Sequence, residues 1–264
     1  MTFLFGRFKN WRRNRILKRE PISDPIWQKV LCQLKFLHGL SVKETERLRQ
    51  LVILFLHDKQ ISGAHDLEIT EEMSVTIAAQ ACILILELDV SHYDDWIEII
   101  VYPGKFILDY DYADEYGVVH HAHKIVSGEA WLAGPVILSW QDAAGVDTRP
   151  SDNVVIHEFA HKLDMRHQGA NGFPILHANM NAQVWHDIFS KAYAGFCARV
   201  DKGKRTAVDP YASKSPAEFF AVFSEVFFET PLVVKHHFPA IYEQLVLFYR
   251  QDPAGRWGRL NLKN

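Results

Sequence analysis

Residues 153–169 read "NVVIHEFAHKLDMRHQG" and hold His157, His161 and His167, with Glu158 directly behind the first. Apolar positions 154, 155, 156, 159, 160 and 163 leave one stripe for polar groups, as in an amphipathic helix running over about 152–166. Asp152 or Asn153 is placed to cap its start. On such a helix, residues four apart share a face, so His157 and His161 offer two imidazoles to one ion while Glu158 comes round beside them. This is the H-E-x-x-H arrangement, two zinc ligands and a general base, in which a metal-acidified water attacks a peptide carbonyl.

A catalytic zinc takes three protein ligands and keeps a fourth place open. His167 follows His161 at the spacing of the longer H-E-x-x-H-x-x-G-x-x-H pattern, the metzincin alternative, with Asp164 standing where glycine would turn the chain. Asp164 itself shares the helix face, but three ligands stacked along one axis cannot surround an ion. Its expected place is behind an imidazole, steadying a ring N–H. Glu218 is the remaining candidate. It sits in "DPYASKSPAEFFAVFSEVFFETP" (209–231), where Ser215, Pro216 and Glu218 also make a good helix start that needs no metal. The apolar run after it buries that helix, and Glu225 lies two turns from Glu218 on the same face. Buried carboxylates want partners, and a zinc ion or a zinc-bound imidazole would serve. At this level the third ligand is open between His167 and Glu218.

Outward from these stretches, "SDPIWQKVLCQLKFLHGL" and "LSVKETERLRQLVILFLHDK" have helical periodicity, the second opening with Ser41 and Glu44 in capping-box spacing. A further helix is expected over 70–88. Between about 96 and 142 the texture changes to short β-branched and aromatic runs broken by Gly and Pro: "WIEIIVYPGKFILDYDY", "GVVHHAHKIVSG" and "GPVILSWQD". These predict a small sheet. Helices follow at about 178–200, 215–229 and 232–250. The fold class is therefore α+β: a mostly helical single domain, 21–264, with a small sheet beside the H-E-x-x-H helix. "GPVILSWQD" is the candidate sheet edge for holding an extended peptide, with Val136, Leu138 and Trp140 as contacts.

Composition bounds the function. The first twenty residues carry seven basic groups against one acid and read as a flexible leader, for which contact with an anionic membrane surface is the lesser reading. The rest carries 22 basic and 31 acidic groups, a balance of −9, which argues against direct nucleic-acid binding. Cys32, Cys82 and Cys197 are isolated within apolar runs and read as small buried hydrophobes. With no signal-peptide core, the expected location is cytoplasmic. His120, His121 and His123 in "HHAH" alternate across a strand and read as incidental.

"IHEFAHKLD" (156–164) followed by "DPYASKSPAEFFAVFSEVFFETP", with "IEIIVYPGKFILD", "GEAWLAGPVILSWQD" and "FPAIYEQLVLFYRQDP" around them, resembles the Mlc titration factor A family of zinc metallopeptidases over about residues 20–255. The resemblance implies a gluzincin-like centre with one Zn2+ held by His157, His161 and Glu218. By position it puts Tyr211 near the developing oxyanion. It implies a peptide substrate, chiefly aminopeptidase action, and binding of an Mlc-type transcriptional repressor. Two classes therefore stand side by side: a peptidase with Glu158 as base, and a regulator-binding protein whose hydrolysis is incidental.

Overall fold

The computed structural model describes residues 2–19, 21–113, 119–126, 128–130, 134–145, 152–166 and 169–256, with backbone only for 2–10, 106–113, 119–126 and 129. The chain runs α1 (Thr2–Arg19), α2 (Asp24–Gln33), α3 (Val42–Asp58), β1 (Gln60–Gly63) and α4 (Glu71–Ile83). The strand region follows: β2 (Glu98–Tyr102), β3 (Phe106–Ala113), β4 (Val119–Val126), β5 (Gly128–Ala130) and β6 (Val136–Ser139). A short turn of helix, α5 (Trp140–Ala143), leads to α6 (Val154–Asp164), α7 (Ala182–Asp201), α8 (Pro216–Glu229), α9 (Pro231–His237) and α10 (Pro239–Tyr249). The α+β class, mostly helical, is what the sequence leads one to expect.

Local chemistry explains the helix limits. Ser41 and Glu44 form a reciprocal capping box, each side chain taking the other's backbone N–H. The helix expected over 70–88 stops at Ile83, and residues 84–87 continue as turns. The helix expected over 232–250 is two helices, because Pro239 has no N–H to give and its ring disfavours helical backbone at Phe238. The leader forms helix α1, and Ile16 and Leu17 pack on the core beside α3. Of the three cysteines only Cys82 is buried. Cys32 is exposed, because on α2 Trp27 and Val30 take the inward face, and all three are free thiols. No described helix is long and apolar enough to cross a membrane.

The strands form two sheets rather than one. β3 and β4 pair only with each other, as an antiparallel ribbon. The histidines of "HHAH" lie on β4, opposite Tyr112, Asp111 and Asp109 in the register. The other sheet has the order β1-β2-β6-β5, parallel from β1 to β6 and antiparallel between β6 and β5. This corrects the edge assignment. β6 is interior, paired with β2 on one side and β5 on the other, and Val136 and Leu138 are fully buried. Trp140 is in α5, outside the strand. All four β6 residues are buried, the mark of a strand covered on both faces. The edges of this sheet are β1 and, on the side next to α6, β5, whose three residues are too few to stand out in the sequence.

β5 and β6 lie against α6, and α6 crosses α8 in the centre of the molecule. α8 is buried along nearly its whole length, with Phe219, Phe220, Phe223 and Phe227 essentially inaccessible. Edge-to-face and tilted ring contacts with Phe196, Trp185 and Phe238 complete that packing. The donors carried by α6 and α8 are thus mounted on two helices locked by aromatic packing.

Candidate metal centre and active site

α6 begins at Asn153, whose Oδ1 accepts from Ile156 N at 2.9 Å. The same side chain donates through Nδ2 to Gln80 Oε1 (2.9 Å) and Glu229 Oε1 (3.0 Å), while its backbone N–H donates to Glu225 Oε2 (2.9 Å). Gln80 in turn donates to Ala143 O at 2.8 Å. One asparagine therefore ties the start of α6 to α4 and α8, and fixes the height of every residue on the helix face that follows.

On that face His157 Nε2, His161 Nε2 and Glu218 Oε2 converge. His157 Nε2 is 2.9 Å from Glu218 Oε2 and 3.2 Å from His161 Nε2, and His161 Nε2 is 3.3 Å from Glu218 Oε2. Glu218 is the third residue of α8. Ser215 caps that helix by accepting from Glu218 N (3.1 Å), but the Glu218 carboxylate turns toward the histidines. The helix start and the donor are the same residue used twice. Asp164 closes α6 as a helical residue where the metzincin alternative needs a turn, and His167, its third ligand, lies outside the described residues.

The donor set fits a metal ion. Around a tetrahedral zinc with bonds of about 2.0–2.1 Å, donor atoms stand about 3.3 Å apart, close to the spacing found here. His157 Nδ1 lies 2.6 Å from Glu225 Oε1, so the ring proton belongs on that side and Nε2 presents a lone pair to the centre. The electrostatics favour positive charge at this point. Burial opposes a charge on His157, but Glu225 and Glu218 outweigh it and hold the imidazole well above its ordinary value. Burial would raise Glu218, yet hydrogen bonds and charge from the two imidazoles bring its carboxyl far below the usual range. Burial pushes Glu225 up to about 7 despite the histidine beside it. The cluster has a surplus of negative groups around a small gap, which a cation would relieve.

His161 is supported differently. Its Nδ1 is buried with no partner among the described residues, and so is Asp164 Oδ1. The aspartate expected to steady that ring uses Oδ2 to accept from Asn171 N (2.8 Å) and Gly172 N (2.7 Å). Burial lowers His161 and raises Asp164. Asp164 thus anchors the segment after α6 to its end. Gly172 is obligatory there: its φ is +77°, and an added Cβ would stand 2.4 Å from Pro216 O.

Glu158 is 5% exposed and turns toward β5, where a Cβ added at Gly128 would meet Glu158 Oε1 at 2.6 Å and Val154 at 2.5 Å. Tyr211 belongs to a one-turn helix, Pro210–Ser213, whose start Asp209 caps through Tyr211 N. The phenol donates to Glu218 Oε1 at 3.0 Å, and Lys214 Nζ lies 3.5 Å from the phenol oxygen and over its ring. Tyr211 is 40% exposed, so the hydroxyl stands between the buried donors and solvent. Sequence reasoning named Glu158, Glu218, Glu225, His157, His161 and this tyrosine, and the structure brings His157, His161 and Glu218 together. It did not foresee Gln80 and Gly128, which lie far from the motifs in the chain, nor Lys214 and Glu229, which lie within the stretch 209–231 with nothing local to mark them; for Gly128, the glycine in "GEAW" was the available hint.

Two imidazoles a turn apart on one helix and a glutamate from a crossing helix form a candidate metal site of the H-E-x-x-H class. Sequence comparison gives the particular family. The model of the glucose-regulated metallo-peptidase M90 family matches residues 8–250, and the chain belongs to that family. It is 36% identical over 259 residues to an uncharacterized protein of Synechocystis sp., covering 96% of this chain and 94% of that one. It is 35% identical over 237 residues to Mlc titration factor A of Escherichia fergusonii, 89% of each chain, and 36% identical over 233 residues to that of Klebsiella pneumoniae, 87% of each.

Proposed function

We propose that the chain is a zinc-dependent peptidase in which His157, His161 and Glu218 hold one ion and Glu158 is the general base. The single observation that carries this is the convergence of three donor atoms at 2.9–3.3 Å on two rigidly packed helices, with Glu158 beside them. Two imidazoles and a carboxylate suit zinc best among common divalent ions. When bound, the ion acidifies a water and polarises the scissile carbonyl.

The chain's own groups do the rest. Glu158 takes the proton of the attacking water and passes it to the leaving amine, a role typically supplying about 10²–10⁴-fold. Tyr211 is the donor for the negative charge that builds on the carbonyl oxygen, after releasing its bond to Glu218. Glu225 holds His157 in the tautomer that keeps Nε2 as a ligand. An extended peptide would lie along β5, the described edge beside Glu158, adding as a strand through backbone hydrogen bonds. Action on free amino termini is the first expectation, by the resemblance of the motifs.

The name carried by the relatives, Mlc titration factor A, supports a second reading, in which the chain binds a repressor of that type and hydrolysis is secondary. The buried Glu158 favours the peptidase, because a binding surface needs no general base. Aminoacyl chromogenic substrates and internally quenched peptides, run with zinc-loaded wild type and Glu158→Gln, separate the two. Turnover falling about 10²–10⁴-fold in a variant that still binds one zinc is the expected outcome. Equal rates in both proteins, or none in either with zinc bound, would move the function to binding.

A further inference from the structure

One groove shares no residue with the metal-binding cluster. It lies between α7 and the corner where α9 meets α10, and encloses about 870 Å³. Ile188, Ala192 and Phe196 recur every four residues along α7 and form one apolar wall. Phe238 and Ile241 form the facing one. Gly195 lines the groove from the α7 wall, in the interior of a twenty-residue helix, where a glycine costs about 1 kcal/mol relative to alanine. A Cβ there would meet nothing within 4 Å. Nothing in the packing calls for a glycine, and its effect is to leave the trough unfilled.

Charge sets the rim. Lys191, Arg199 and Arg205 line the groove, and no acidic residue does. None of the three forms an ion pair with a described residue. The Arg199 Nε–H donates to Arg205 O at 2.8 Å, which holds the two positions together. In a body with 31 acidic and 22 basic side chains after residue 20, three unpaired cations around one apolar trough are out of keeping with their surroundings.

We infer that this groove docks an amphipathic α-helix of a partner protein, with apolar residues at helical spacing flanked by aspartate and glutamate. The lining from Ile188 to Arg199 spans about 16 Å at 1.5 Å per residue, three helical turns. Lys191 and Arg199 stand about 12 Å apart along that wall, a wide spacing for one anionic head group but in step with acids about two turns apart on a helix. The chain's own leader does not suit the site: it is strongly basic and packs beside α3.

The test uses the full chain and a designed, dye-labelled peptide with leucines at helical spacing and glutamates on the flanks, beside a twin with lysines for the glutamates. Fluorescence anisotropy should give a Kd on the order of micromolar for the first, with the lysine twin at least about ten-fold weaker. Gly195→Trp, which fills the trough, and Arg199→Glu/Arg205→Glu should each weaken binding about ten-fold or more. Thermal melting of Gly195→Leu and Gly195→Trp shows whether the fold is intact, since replacing a helical glycine in open space should not lower Tm. Failure of the acidic peptide to bind wild type, or equal binding to a folded Gly195→Trp, overturns the inference. So does saturable binding of dodecanoate with no binding of the peptide, which assigns the groove to a small amphiphile. A wild-type dimer in sedimentation that Gly195→Trp dissociates assigns it to a second copy and overturns the inference equally.

Discussion

His157 and His161 stand one turn apart on the same helix, yet the protein treats them in opposite ways. His157 is held from behind by Glu225, which is itself held by Asn153, which is held by Gln80 and Glu229. His161 has no such chain. Its Nδ1 is buried without a partner among the described residues, and the aspartate below it is occupied with the backbone of Asn171 and Gly172. Both rings reach Glu218, and among the described residues a carboxylate orients His157 alone. Position explains the difference. His157 faces α8, where a residue two turns on from Glu218 can reach it, whereas His161 is three residues from the end of α6 and must share Asp164 with the chain that leaves there. Orientation of the centre therefore rests chiefly on one histidine, and the two carboxylates behind the ring pair have separate tasks: one orients a ligand, the other anchors a segment.

Among changes outside the metal donors and Glu158, the largest effect is expected from one that touches neither imidazole's support. Gly128→Ala places a methyl group against Glu158 and Val154, both within 3 Å of the new atom. Displacing the base by about 1 Å should lower kcat about 10²-fold. Zinc content measured on the same sample should be unchanged, because no donor moves; loss of zinc in Gly128→Ala would mean that β5 supports the centre as well as the base.

Next comes the direct contest between the two carboxylates. Glu225→Ala should weaken zinc binding about 10–100-fold in competition with a chelator. Asp164→Ala should leave zinc affinity nearly unchanged while lowering Tm, since two amides lose a charged acceptor worth about 1.5–3 kcal/mol. At about 2–4 °C per kcal/mol for a chain of this size, the shift is well within calorimetric reach. Equal loss of zinc affinity in both variants would break the asymmetry, and would show that Asp164 serves His161 after all.

Much of this was legible in the sequence because it is local. Spacing of four put the histidines on one face, Ser41–Glu44 and Ser215–Glu218 marked helix starts, and apolar periodicity located α2, α3, α7 and α8. Errors arose where pairing or position across the chain decides. Nothing in "GPVILSWQD" says that a three-residue strand will cover it, so β6 was taken for an edge. Cys32 follows an apolar periodicity but falls on the outward face of a short helix. The two tasks of Asp164 and Glu225 were indistinguishable at this level: both are acids one or two turns from a ligand, and only the folded chain shows which backbone amides compete for them.

The smallest effect, and the sharpest probe of how orientation reaches His157, is Asn153→Ala. The cap itself is worth about 1 kcal/mol, and its loss should lower stability by that much. A cap alone acts on α6 as a whole and would affect both histidines alike. Asn153 does more than cap, because its side chain also holds Glu229 and Gln80 in the cluster that includes Glu225. Asn153→Asp separates the two roles: it keeps a capping oxygen for Ile156 N but cannot donate to Gln80 or Glu229, and it adds a third acid beside Glu225 and Glu229. Asn153→Asp should therefore melt close to wild type or lower while losing zinc affinity about as Asn153→Ala does. If zinc affinity follows the cap and is restored in Asn153→Asp, the side-chain bonds of Asn153 to Gln80 and Glu229 contribute nothing to the centre, and any hold on Glu225 comes from the backbone N–H that both variants keep.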